Sequence, residues 1–186
     1  QVIRQAIPKD LANFVMNYFL LQQDAVSYML KNNIINKHNP LIGNWEDEQV
    51  PNAYAKYADW VMETLLQYVR PIMKQKTKLD LIPTYSYARI YNKGNILKKH
   101  KDRPSCEIST TLNLGGNHWS IYLEGIKVDL QQGDMLIYSG CELEHWREPF
   151  TGDFCVQVFL HYNHANGKFG NNNLFDKRPM LGIPKM

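Results

Sequence analysis

The sequence predicts an α+β fold that is mainly β: a double-stranded β-helix, or jelly-roll, backed by N-terminal support helices. Three observations lead there. Up to about residue 80 the apolar residues recur at helical spacing. Beyond it, short β-rich runs separated by turns take over. One of those runs separates its odd and even positions into an apolar and a polar set, as a strand between two layers does. Helices leading and strands following pack as helices on one side of a sheet. With 186 residues, 44% of them hydrophobic and 12% aromatic, the chain can bury a substantial core as one domain. Within 1–186, residues 1–80 read as the helical support, 81–162 as the β-helix and 163–186 as a tail.

Residues 8–31 open on Pro8-Lys9-Asp10, a helix start signal, and then place Leu11, Phe14, Val15, Tyr18 and Phe19 at helical spacing. Residues 32–52, rich in Asn, Pro and acidic side chains, read as a long loop. A second helix is expected from about Ala53, with Tyr57, Trp60, Val61, Leu65 and Tyr68 on one face and Pro71 near its end. Strands are expected at 84–91, 106–114, 119–123, 127–130, 135–138 and 154–162. Within 106–114, Cys106, Ile108, Thr110, Leu112 and Leu114 share a packed face, leaving Glu107, Ser109, Thr111 and Asn113 on a polar or cavity-lining one. Gly115-Gly116 lacks the remaining glycines of a nucleotide loop and reads as a hairpin connection, and Gly133-Asp134 as a turn before a strand. The tail from Asn163 is loop-like.

Composition excludes several function classes. Lys and Arg number 21 against 18 Asp and Glu, a net charge of +3, and the basic runs at 74–78 and 98–101 are too short to give a nucleic-acid signal. The second run reads as a solvated strand edge. No apolar run reaches membrane length and no signal-peptide series appears. Cys106, Cys141 and Cys155 are odd in number and lack a C-x-x-C spacing, so they read as small buried hydrophobes in a reducing cytoplasm. The expected partner is a peptide, protein or small-molecule substrate; composition fixes no oligomeric state.

The chemistry concentrates around His100-Lys101-Asp102. In an extended segment His100 and Asp102 point the same way and Lys101 points out. A second strand ending at His145, in Glu144-His145-Trp146-Arg147, would add another imidazole. Two imidazoles and one carboxylate form the facial ligand set of mononuclear non-haem Fe(II) oxygenases, whose opposite face stays open. On pattern alone His118 and His161 compete for the third position.

The surroundings of that triad carry a resemblance. Tyr87-Ala88-Arg89-Ile90-Tyr91-Asn92-Lys93-Gly94 stands upstream, Cys106 to Leu114 and Gly133-Asp134-Met135-Leu136-Ile137-Tyr138 downstream, and His145 last. This order resembles the Fe(II)/2-oxoglutarate dioxygenase superfamily, most closely its prolyl 4-hydroxylase-like branch, over residues 84–162. The resemblance implies catalytic metal ligands His100, Asp102 and His145, with His145 preferred because it follows the Gly-Asp strand. It also implies Fe(II), 2-oxoglutarate as cosubstrate and O2, and hydroxylation of an unactivated C–H bond with release of succinate and CO2. The substrate so implied is peptidyl proline, or else a small metabolite.

One departure from the family pattern matters. Such enzymes hold the distal carboxylate of 2-oxoglutarate with a basic residue about ten positions beyond the distal histidine, because a buried carboxylate needs a charged or multiply hydrogen-bonded partner. Phe154 and Cys155 stand there, and that strand face offers only Gln157 and His161. The expected substitutes are Arg89, which shares a strand face with the family's cosubstrate tyrosine, Tyr91, then Arg147, and last Arg103, whose alternation opposes the ligand pair. If none serves, a cupin-like metalloprotein that does not use 2-oxoglutarate, or a binding module, becomes the alternative. The complete triad disfavours the module and Asp102 disfavours the cupin reading. Trp119 and Trp146 are candidates for the substrate mouth, with a buried aromatic as the first reading of each.

Overall fold

In the computed structural model, which describes residues 1–185, the chain runs β1 (Val2–Ile3), α1 (Lys9–Lys31), β2 (Tyr54–Tyr57), α2 (Trp60–Thr77), β3 (Leu81–Asn92) and β4 (Leu97–His100). After a 3-10 turn at Pro104–Cys106 come β5 (Ile108–Gly116), β6 (Ile121–Leu123), β7 (Ile126–Val128), β8 (Met135–Ser139), β9 (His145–Arg147) and β10 (Phe154–His164). A kinked 3-10 segment, Gly170–Lys177, follows. The strands form two antiparallel sheets, one of six in the order β1-β8-β5-β10-β3-β2 and one of four in the order β4-β9-β6-β7. This is the expected jelly-roll.

Helices cover the outer face of the larger sheet. Ala12, Val15 and Phe19 of α1 and Met62, Leu66, Val69 and Met73 of α2 pack with Ala88, Ile90, Leu112, Leu114, Val156, Val158 and Leu160. Each large side chain buried there contributes about 1.5–3 kcal/mol, so this layer stabilises the scaffold independently of the site. The period of 2 then turns the alternate residues of β3, β5 and β10 into the interior between the sheets.

Both helices differ in detail from expectation. On α1 the buried stripe is Ala12, Val15, Phe19 and Val26, while Phe14 is 67% exposed, because it lies about 100° around the helix from Val15. α2 begins at Trp60, not near Ala53. The Asp59 side chain caps it by accepting the N–H groups of Val61 and Met62, and Tyr54–Tyr57 instead pairs with β3. Tyr57 therefore shares no helix face with Trp60, and Trp60 and Tyr68 are exposed. Pro71 lies inside α2, which continues to Thr77 and stops at Lys78 with φ 61°.

The short strands β1, β2, β4 and β9 carry no alternation long enough to read in advance. β5 begins at Ile108 because the 3-10 turn swings Cys106 off the packed face. Gly115 and Gly116 are strand residues paired with Val156 and Cys155, not a hairpin connection. At Gly116, φ is 94° and a Cβ would meet the Phe154 carbonyl oxygen at 2.4 Å, so the close approach of β10 requires glycine there. The tail is fastened to the body: Asp176 accepts from Tyr57, Arg103 and Ser105, and Arg178 pairs with buried Glu63 at 2.6 Å. All three cysteines are free thiols. Among the described residues no helix is long and apolar enough to cross a membrane.

Candidate metal centre

The pairing of β4 with β9 sets His100 opposite His145, with ring centroids 4.2 Å apart. β4 ends at His100, so Asp102 sits just past the strand, where its N–H donates to the Gly140 carbonyl at 2.8 Å. His145 opens β9 instead of closing a strand. Gly140 must lack a side chain, since a Cβ there would stand 2.3 Å from Asp102 Oδ2 and 2.4 Å from Ser109 Oγ.

Hydrogen bonds fix the state of both imidazoles. His100 Nδ1 lies 2.8 Å from the Lys98 carbonyl oxygen and His145 Nδ1 lies 3.0 Å from that of Leu143. A carbonyl only accepts, so each Nδ1 carries the hydrogen and each Nε2 presents a lone pair. Those Nε2 atoms stand 3.6 Å and 3.4 Å from Asp102 Oδ1. Three acceptors face one another with no donor among them, which suits a cation. The three donor atoms lie within 4.8 Å of one another, and this N,N,O set fits a divalent transition metal.

Burial favours the protonated form of Asp102, but His145 and His161, whenever their imidazoles carry a second proton, and the Ser109 hydroxyl outweigh it and hold the pKa at about 2. Burial, with His145 close by, lowers the pKa of His100. Both shifts favour the ligating forms, an anionic carboxylate and a neutral imidazole. Behind the carboxylate, Ser109 Oγ lies 2.8 Å from Asp102 Oδ2 and 2.9 Å from His161 Nδ1. His161 is buried on β10, and burial pushes its pKa down to about 4. Asp102, Cys106 and His161 form a second close cluster, but burial raises the Cys106 thiol, keeping it protonated and a poor ligand. His118 pairs with Asp129 at the surface at 3.0 Å.

A cavity of about 360 Å³ opens beside the triad, lined also by Tyr85, Tyr87, Arg89, Tyr138, Phe159 and His161. Asp47 and Gln49 reach into it from the loop before β2, and nothing in that loop's composition marked them. Ser109 and His161 were legible only as members of strand faces.

The basic candidates divide. Arg89 is 1% exposed and lines the cavity, but it donates to Asp47, to Gln49 Oε1 at 3.2 Å and to the Tyr91 hydroxyl at 3.3 Å. Burial works against its charge, yet Tyr91, Tyr87 and Asp47 raise its pKa. Arg89, the first of the expected anchors, is thus already paired, with Asp47 as its counter-ion. Arg147, also 1% exposed, donates to the Trp119 carbonyl and, at 3.4 Å, to the Thr111 hydroxyl. Gln157 Oε1 accepts from the same Thr111 hydroxyl at 3.1 Å. Arg103 is committed to Asp176 at 2.7 Å. Trp119 packs between Tyr91 and Phe150, at 4.7 Å and 5.0 Å, and Trp146 stacks on Tyr122 at 5.4 Å. Neither tryptophan lines the cavity.

No family model and no curated protein matches the chain by sequence. Solved structures do match its fold. A Pseudomonas putida prolyl-4-hydroxylase superposes with a TM-score of 0.62 at 15% identity, covering 88% of this chain and 91% of that one. SnoN, a non-haem α-ketoglutarate-dependent epimerase from nogalamycin biosynthesis, gives 0.65 at 9% identity, covering 100% and 89%. The viral collagen prolyl hydroxylase of Paramecium bursaria Chlorella virus-1, in complex with 2-oxoglutarate, gives 0.58 at 10% identity, covering 87% and 94%. At such identities the likeness is one of architecture: the chain has the double-stranded β-helix fold of 2-oxoglutarate and Fe(II) oxygenase structures, prolyl-4-hydroxylases among them.

Proposed function

We propose that this protein is an Fe(II)- and 2-oxoglutarate-dependent hydroxylase that oxidises an unactivated C–H bond and releases succinate and CO2. The observation that carries the reading is the convergence of His100 Nε2, His145 Nε2 and Asp102 Oδ1 on one point without a donor between them. When bound, iron with its cosubstrate supplies the oxidation, one atom of O2 entering the substrate C–H bond and the other entering succinate.

The chain's own residues hold and shield that chemistry. The Lys98 and Leu143 carbonyls lock the imidazole rings, and Ser109 occupies Asp102 Oδ2 so that Oδ1 faces them. Tyr91, Thr111 and Gln157 supply hydroxyl and amide groups on the inner wall of the larger sheet, where the cosubstrate is proposed to lie. Leu97, Ile121 and Phe159 line the cavity with apolar surface that excludes water.

For the substrate, peptidyl proline is supported by the prolyl hydroxylases among the solved structures of this fold. A small metabolite is the second reading, favoured by a cavity of only about 360 Å³ whose wall includes Asp47 and Gln49. Anaerobic Fe(II) titration with and without 2-oxoglutarate tests the reaction class. A visible charge-transfer band is expected only when both are present. Tight metal binding with no such band would turn the reading to a cupin-like metalloprotein. Succinate release stimulated by proline peptides, and not by small hydroxylation substrates, would decide the first substrate class over the second.

A further inference from the structure

We propose that Arg147 holds the distal carboxylate of the cosubstrate, so that this chain anchors a 2-oxo diacid from the strand of its distal metal ligand instead of from the last strand. The inference rests on the hydroxylase reading above. It begins from an unmet need. Arg147 is 1% exposed, its Nε is buried with no hydrogen-bond partner, and no carboxylate pairs with it among the described residues. Its guanidinium donates to one backbone carbonyl and, at a long 3.4 Å, to the Thr111 hydroxyl. A guanidinium has five N–H donors in a planar fork shaped for a carboxylate, and a buried cation without a counter-ion is strongly disfavoured.

Arg89 Nε is likewise buried without a partner, but Asp47 already satisfies the charge of that side chain. The two arginines thus differ in what they lack: only Arg147 is without an anion. Its setting is also suited to receiving one. The Thr111 hydroxyl and the Gln157 amide continue the polar surface beside it, and the Trp119 ring lies 5.0 Å from the guanidinium carbon, fixing the plane of the fork. His145 and Arg147 stand two residues apart on β9, both buried, while Trp146 between them faces outward onto Tyr122. Two residues of strand rise, about 6.5 Å, match the scale of a five-carbon diacid whose oxo-acid end is at the metal. His145 and Leu97, the strand partner of Arg147, both line the cavity beside the triad, while Arg147 itself is not among the residues that line it.

Arg147→Met and Arg89→Met should be titrated anaerobically with 2-oxoglutarate in the Fe(II)-loaded protein, following the chelate band. Arg147→Met is expected to raise the 2-oxoglutarate dissociation constant about 100-fold or more while leaving Fe(II) affinity without cosubstrate unchanged. The wild type should prefer 2-oxoglutarate strongly over 2-oxopentanoate, which lacks the distal carboxylate, and Arg147→Met should lose that preference. A merely structural arginine would not move this selectivity. 2-Oxoglutarate should raise the Tm of the metal-loaded wild type and not that of the variant. Arg147→Lys, which keeps the charge but not the fork, should retain the preference in weakened form and serves if the methionine variant does not fold. A wild type that gives no 2-oxoglutarate-dependent band overturns the hydroxylase reading and this inference with it. A wild type that gives the band, beside an Arg147→Met that gives it at the same concentration, overturns this inference alone. So does loss of the distal-carboxylate preference in Arg89→Met but not in Arg147→Met.

Discussion

Ser109 bridges Asp102 and His161, its hydroxyl 2.8 Å from the carboxylate Oδ2 and 2.9 Å from the imidazole Nδ1. One proton arrangement satisfies both contacts: His161 donates to Ser109, and Ser109 donates to Asp102. Ser109→Ala is therefore expected to weaken Fe(II) binding about 10- to 100-fold without unfolding the protein. Equal affinity in anaerobic titrations of variant and wild type would show that the bridge does not orient the ligand.

Asp102→Ala and His145→Ala are each expected to abolish turnover while leaving the circular dichroism melt close to that of the wild type, because the helix-covered core lies on the opposite face of the larger sheet. His161→Ala should still bind metal. Retained activity in His145→Ala together with lost metal in His161→Ala would transfer the third ligand to the second cluster.

Breaking the ion pair between Arg178 and Glu63 should be costly, since both side chains are almost wholly buried. Arg178→Met leaves the Glu63 carboxylate in a dry site and is expected to destabilise by about 3–5 kcal/mol. In a protein of this size that lowers Tm by roughly 6–20 °C. Pairing it with Glu63→Gln should recover part of the loss, and a Tm within about 2 °C of wild type for the single variant would refute the clamp.

Acid stability should depend on Asp59, the cap of α2. Burial alone would raise its pKa, but Lys56 at 2.8 Å and hydrogen bonds from Gln22 and Tyr18 hold it below its ordinary value. A folded pKa below the unfolded one contributes stability that is fully present above about pH 4 and is lost as pH falls through the folded value. Asp59→Asn keeps a capping oxygen but should flatten the fall of Tm between about pH 6 and pH 3. An unchanged slope would assign the acid sensitivity elsewhere.

How far the site could be read in advance followed from the range of each interaction. His100 and Asp102 were legible as a pair because two residues in an extended chain share a face, and the split of β5 into Ser109, Thr111 and Asn113 against Ile108, Leu112 and Leu114 followed the same rule. The start of α2 was not, because Tyr57, Trp60 and Val61 keep helical spacing across a boundary that Asp59 and the pairing of β2 decide. Nor could the alternation of β3 reveal that Arg89 has a counter-ion, which arrives from 42 positions away in an irregular loop. The same face that suggested Arg89 said nothing of which arginine lacks an anion.

The grip of Asp176 on Arg103 also bears on how the protein is made. Arg103 directly follows a proposed metal ligand, and its partner emerges from the ribosome 73 residues later. The three ligands can therefore be synthesised, and their strands paired, while the segment that steadies Asp102 from outside is still inside the exit tunnel. Metal loading is expected to reach its final affinity only once the segment that carries Asp176 has left the tunnel. Nascent chains stalled through a flexible linker that carries residues 1–164 out of the tunnel should exchange bound metal faster than chains stalled with residues 1–185 outside it, and equal exchange would mean that the carboxylate is set without help from the tail.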